Sequence, residues 1–272
     1  NDLLKNKTSK IFLDYFENLN TNLDIMFDNV FLDANSYLEN LNGNVEFNKN
    51  KIISANLISL FPNKDKFSFS IKPGNNDQKI TALYSDNAEP FVKKFNFIKD
   101  FKGGKIDFFS IKKNNVSKSN IKIFKFKVRD VPALATLLSL ASLQGIADLM
   151  TGEGIRFEEF DMKFSNKNDL MTIDEIYAIG PAISILMNGY VEKNNLISLR
   201  GTLVPATTLN KVIGSIPFLG KILVGKKTGE GVFGVSFKIK GPFKNLKTTV
   251  NPIKTLTPRF ITRTLEKIKK IN

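Results

Sequence analysis

The sequence predicts a mainly β fold with a few helices (α+β), built as a curved, twisted antiparallel sheet. Three observations carry that expectation. Apolar and polar residues alternate with a period of two through most of the chain, as in Phe67, Phe69 and Ile71 or Phe233, Val235, Phe237 and Ile239. Turn-forming clusters such as Pro73-Gly74-Asn75-Asn76 and Gly241-Pro242 punctuate the alternation. Two strands also slip phase by one residue, at Ile123/Phe124 within 121–128 and at Glu158-Glu159 within 155–164. One extra residue in an alternating strand marks a β-bulge, which bends the strand and strengthens its twist. Repeated bends suit a curved sheet better than a flat sandwich. The alternative is that the two slips are unrelated irregularities.

In chain order, residues 8–19 place Ile11, Phe12, Tyr15, Phe16 and Leu19 on one side of a short amphipathic helix. From Leu23 the period shortens. Strands follow at 23–32, 45–47, 52–61, 67–71 and 79–84, a meander of antiparallel neighbours. A short helix is expected over 88–95, with Asp86 or Asn87 as its cap and Pro90 in its first turn. After Gly103-Gly104 come strands at 106–111 and 121–128.

The run 131–150, VPALATLLSLASLQGIADLM, stands apart because it has no charge before Asp148. Asp130 is a good N-cap, Pro132 sits in the first turn and Gly152 can end it. A helix apolar nearly all round is a buried helix. Its uncharged part is at the short limit of the ~17–25 residues that span a bilayer, and it contains Pro132, Gln144 and Gly145, so burial is preferred to spanning. What buries it is a core, a partner or a lipid. Beyond it, 170–204 divides into strands at Gly180-Pro181, Gly189 and Asn194-Asn195. The apolar stretch 209–223 is broken by Gly214, Pro217 and Gly220 into short turns at best. Strands at 232–239 and 248–251 precede a basic terminal helix over 258–271. No low-complexity linker divides 1–272, which is expected to form one continuous architecture.

Composition excludes several chemistries. The chain has no Cys, so no disulfide, zinc-thiolate site or thiol nucleophile, and no His, the commonest general base and metal ligand. The net charge of +14 fits an anionic membrane surface, nucleic acid, or a solvated surface in a chain rich in Lys, Asn and Ile. Nucleic acid is disfavoured. Lys122, Lys125, Lys127, Lys238 and Lys240 fall on faces opposite the aromatics, whereas base stacking needs both together. The chain opens on Asn1 without a signal peptide and reads as a fragment or processed product, with any targeting element upstream.

Motif matches fail on context. Gly229-Glu-Gly231-Val-Phe-Gly234 has dinucleotide spacing, but Val235 onward alternates like a strand, not a helix. Gly220 to Gly225-Lys226 lacks the following Ser or Thr of a phosphate loop. Glu158, Glu159 and Asp161 are expected to be solvent-facing spacers around a bulge, with paired-carboxylate chemistry at Glu159 and Asp161 the alternative.

Three local patterns carry a resemblance. The first runs from Asp86-Asn-Ala-Glu-Pro-Phe91 to Phe101-Lys-Gly103-Gly104-Lys-Ile106. The second is Val128-Arg-Asp-Val-Pro-Ala-Leu-Ala135 followed by Gly152-Glu-Gly154-Ile-Arg-Phe157. The third joins Gly201-Thr-Leu-Val-Pro205, Ile216-Pro-Phe-Leu-Gly220, Gly241-Pro242, Val250-Asn-Pro252 and Leu256-Thr-Pro258. Together they resemble the C-terminal region of the AsmA-like family, in the YhdP/TamB group of bacterial envelope proteins, the second and third patterns matching in order. The likeness covers 86–258, whereas 1–85 matches only in being strand-rich and 259–272 is the basic tail.

The resemblance implies a non-enzymatic periplasmic segment, anchored in the inner membrane by an N-terminal helix absent from this chain. It implies an elongated, apolar β-groove that moves phospholipid between inner and outer membranes, without a cofactor. On this expectation Phe108, Phe126, Phe157, Phe160, Met162 and Phe164 line the groove, and Leu137, Leu138, Leu140 and Ile146 cover or close it. Arg259, Arg263, Lys267, Lys269 and Lys270 touch anionic headgroups, or belong to an ordinary solvated helix. The rival expectation is an assembly factor for the outer membrane with the same fold and a closed core.

Overall fold

The computed structural model describes residues 20–49, 51–93, 100–129, 131–140, 152–192, 196–205, 234–242 and 245–253. Expected helices at 8–19 and 258–271, the turns at 209–223 and the second half of the 131–150 run lie outside these residues. Described strands are β1 (Asn20–Phe31), β2 (Tyr37–Asn48), β3 (Lys51–Leu60), β4 (Lys66–Pro73), β5 (Gln78–Ser85), β6 (Asp100–Lys113) and β7 (Val116–Arg129). They continue as β8 (Ile155–Lys167), β9 (Leu170–Ile179), β10 (Ile183–Glu192), β11 (Leu196–Pro205), β12 (Gly234–Pro242) and β13 (Lys247–Ile253). Two helices are described, α1 (Glu89–Val92) and α2 (Pro132–Leu140).

All thirteen strands form one antiparallel sheet in which spatial order equals chain order, so the sheet is a single unclosed meander. The alternating period of the sequence explains the strands, and residues at turns explain where they reverse. Lys49, Asn76, Asp77, Asn114 and Asn168 have positive φ, a conformation Asn and Asp tolerate better than most residues. Because every connection after an even-numbered strand falls at one edge, these tight turns share that edge. Connections after odd-numbered strands fall at the opposite edge, where α1 follows β5 and α2 follows β7.

The sheet curls around α2. This helix leaves the end of β7 and packs against β13. Along the sheet those strands are six spacings apart, roughly 29 Å at about 4.8 Å each. The nine residues of α2 cover only about 14 Å. A chord shorter than its arc requires curvature, and α2 lies on the inner side. Leu137 and Leu138 are buried there with Phe101, Phe126, Ile155, Leu203 and Phe237.

The phase slips are real, but their cause differs from the expectation. The β6–β7–β8 ladders keep register through them: Lys105 pairs Phe124 and Gly103 pairs Phe126, while Glu159 pairs Phe124 and Phe157 pairs Phe126. No residue is inserted at Ile123/Phe124 or Glu158-Glu159. Instead, adjacent strands flip phase together, around Gly104 (φ 84°) and Lys125 (φ 53°). Gly104 reaches that angle without a Cβ penalty. A bulge does occur elsewhere: β9 carries one extra residue between Ile173 and Ile176, which shifts its register against both Lys163/Phe164 of β8 and Met187/Gly189 of β10. Gly189 was expected to separate strands and instead sits inside β10. A Cβ there would lie 2.0 Å from the Ser198 carbonyl oxygen, so glycine marks close strand approach and not a break. The cap of α1 also differs. Ala88 is the N-cap, and Asn87 contributes from outside by accepting the Glu89 N–H at 3.1 Å.

Candidate functional site

Residues directly opposite one another on paired strands point to the same face of a sheet. Following the pairing from strand to strand gives a row across the whole inner face: Ile25, Gly43, Leu57, Phe69, Leu83, Phe108, Ile121, Met162, Ile176, Met187, Gly201, Phe237 and Val250. Every member is apolar or glycine. At about 4.8 Å per strand the row runs for roughly 60 Å, twice the ~30 Å hydrocarbon thickness of a bilayer. From Ile25 to Met162 its side chains are only half-buried, whereas Ile176 and Phe237 are buried.

Towards the helix edge the inner face is sealed. Phe101, Phe126 and Phe157 stack in series with ring centroids 5.2 and 5.4 Å apart. All three are at most 6% exposed. Leu137 and Leu138 close over this corner, and an Asp100–Arg129 ion pair ties the ends of β6 and β7 beside it. On the N-terminal half, Leu38, Leu41, Phe61 and Phe67 close the same edge, and Phe91 of α1 stacks on Phe67 with centroids 5.9 Å apart. Buried polar groups on this side are satisfied locally. Ser59 donates to the Glu39 carbonyl at 2.6 Å and Ser85 to the Asn87 carbonyl at 2.7 Å.

The expected groove residues therefore divide. Phe108, Phe160 and Met162 are half-buried on the open floor, and Phe164 is buried against Ile173 and Ile176 beside them. Phe126 and Phe157 belong to the sealed stack and not to an open lining. Leu137 and Leu138 cover that stack as expected, while Leu140 is 48% exposed and closes nothing. Ile146 and the basic tail residues Arg259, Arg263, Lys267, Lys269 and Lys270 lie outside the described residues. The expected solvent-facing spacers need one correction. Glu158 is exposed, but Asp161 is 3% exposed on the outer face, where it accepts the Asn120 side-chain N–H at 2.6 Å.

The apolar side chains of the row that sequence reasoning missed are Ile25, Leu57, Phe69, Leu83, Ile121, Ile176, Met187, Phe237 and Val250. Their strands were legible, but their alignment with one another was not.

Two cavities are described. One of about 60 Å³ is a notch at the helix edge by Asp100, Lys102 and Glu153. The other, of about 290 Å³, opens at the turn edge between Lys112, Asn115, Ser117, Asn166 and Asn168. A charged knot braces the outer face at the helix-edge ends of β4, β5 and β6. Asp86 accepts from the Lys105 ammonium at 2.8 Å, the Tyr84 hydroxyl at 2.6 Å and the Lys66 backbone N–H at 2.9 Å. The Lys105 bond first, then the Tyr84 bond, holds the Asp86 carboxyl well below the usual carboxylate range. Among the described residues no cluster of three or more acidic side chains is placed to hold a metal, and no helix is long and apolar enough to cross a membrane.

No family model, curated protein or solved structure matches this chain. What the arrangement offers chemically is extended, half-exposed apolar surface, with polar groups confined to its rims.

Proposed function

We propose that this chain is a non-enzymatic segment of a lipid-transfer bridge that carries phospholipid acyl chains along its inner face. The observation that carries this reading is the unbroken apolar row from Ile25 to Val250, half-open over its first eight strands. An acyl chain in water exposes each CH₂ at about 0.8 kcal/mol. A chain of about sixteen carbons therefore faces a barrier of order 10 kcal/mol, which a continuous apolar trough lowers without chemistry or a cofactor. The resemblance to AsmA-like proteins supports a periplasmic setting between two bacterial membranes, with an inner-membrane anchor upstream.

A photo-crosslinking residue tests this directly. Placed at Phe69, Leu83 or Phe108 it is expected to trap phospholipid, and at Lys118 or Thr172 on the outer face it is expected to trap none. Absence of lipid adducts at all three inner positions overturns the proposal. It then leaves the second reading, an outer-membrane assembly scaffold with a closed core. The Phe101–Phe126–Phe157 stack favours that alternative, because there the inner face is filled by its own side chains.

A further inference from the structure

The inner face changes character along the strands as well as across them. On β5 to β8 the floor row is Leu83, Phe108, Ile121 and Met162. Two residues closer to the turn edge it becomes Thr81, Ser110, Ser119 and Phe164, with Ser119 donating to Ser110 at 2.9 Å. Two residues further it becomes Lys79, Lys112, Ser117 and Asn166. On β5 to β7 the gradient therefore runs from apolar, through small hydroxyls, to cationic and hydroxyl groups, while β8 stays apolar through Phe164 and turns polar at Asn166. The 290 Å³ cavity opens at its polar end.

The opposite ends of β6, β7 and β8 carry the sealed phenylalanine stack, which bars the polar end of any guest. A guest on the floor must therefore point its polar end towards the turn edge. From Asn166 to Phe160 is six residues, about 20 Å of extended strand at about 3.4 Å each. That exceeds the ~15 Å occupied by one acyl layer, half of a ~30 Å hydrocarbon core.

We infer that the lip formed by Lys112, Asn115, Ser117, Asn166 and Asn168 is a subsite for the phosphate of a lipid headgroup, with the acyl chains laid along β6–β8 towards Phe160. The inference rests on the trough reading and adds an orientation and a headgroup chemistry to it. The lip supplies an ammonium, amide N–H groups and a hydroxyl, the donors a phosphate oxygen accepts. The neighbouring Lys79 ammonium donates to the Ile52 carbonyl at 3.1 Å. Among the described residues no ion pair engages Lys112.

The test offers the full chain two probes that share acyl chains and differ in the phosphate: dioleoyl phosphatidylglycerol and dioleoylglycerol. Each is presented singly from detergent micelles, and bound lipid is counted by native mass spectrometry. Lys112→Glu is expected to cut phosphatidylglycerol capture about fivefold, leaving dioleoylglycerol capture unchanged. Lys113→Glu, one residue on and facing the other side, is expected to change neither. Loss of both lipids in Lys112→Glu, or of neither, overturns the lip and leaves the trough standing. A wild-type chain that captures neither lipid overturns both. Inorganic phosphate that shifts the Ser117 and Asn166 amide resonances in a chain taking up no phosphatidylglycerol identifies a free-anion site and overturns the headgroup assignment.

Discussion

Phe126 and Phe108 lie on neighbouring strands and point to the same face, yet their surroundings differ. Phe126 is packed between Phe101 and Phe157 under α2. Phe108 is half-buried among Leu83 and Ile121, and neither described helix packs over it. On the proposed reading, one sheet combines two tasks. The helix edge makes a conventional core that holds the curvature, and the floor keeps apolar surface within reach of a guest. A sheet with only the first region would be a scaffold. One with only the second would have nothing to fix its bend.

The largest expected effect lies in the sealed region. Phe126→Ala should lower unfolding stability by about 3–5 kcal/mol, measured from the denaturant midpoint, because neighbours cannot refill the gap in the stack. A loss under about 1 kcal/mol would show that this corner is not core. Phe108→Ala sharpens the contrast. Its expected cost is smaller, about 1–3 kcal/mol, since part of the ring already meets solvent, while phospholipid capture falls. If Phe108→Ala costs as much as Phe126→Ala, the floor is a filled interior and the scaffold reading prevails.

The smallest effect concerns the outer brace. Asp86→Asn removes a carboxylate whose ionised form accepts three hydrogen bonds, and should lower Tm by about 2 °C at neutral pH. The sign follows from the lowered folded-state pKa. The stabilisation is fully present above the unfolded value near pH 4 and is lost as pH falls towards the folded one. Wild type and variant should therefore converge in strong acid. A gap that persists there assigns the effect to packing and not to charge.

Much of the fold was legible because period-two alternation is a local property. The strands around Phe67, Phe69 and Ile71, or Phe237 and Ile239, need no partner to be recognised. Register is different, since it depends on which residue of one strand faces which of the next. For that reason the row linking Leu57 to Phe69 and Leu83 could not be read from the chain. The same blindness turned a phase flip shared by β6, β7 and β8 into two separate bulges, because one strand read alone cannot reveal that its neighbours slip with it. Gly189 misled for a related reason: a glycine required by the Ser198 carbonyl across the ladder looks, in sequence, like a strand break. Asp161 looked solvated because its partner, Asn120, is distant along the chain.

In the described sheet, each strand bonds only to its neighbours in the chain. Reach is consequently a modular quantity. Inserting or deleting one hairpin lengthens or shortens the span by roughly 10 Å and leaves every other pairing intact. Folding can likewise begin at any hairpin and zip outward, with little loop entropy lost at each step. Among the described residues the α2–β13 contact is different in kind, a clasp between distant parts of the chain, and its loop closure is expected to follow hairpin formation.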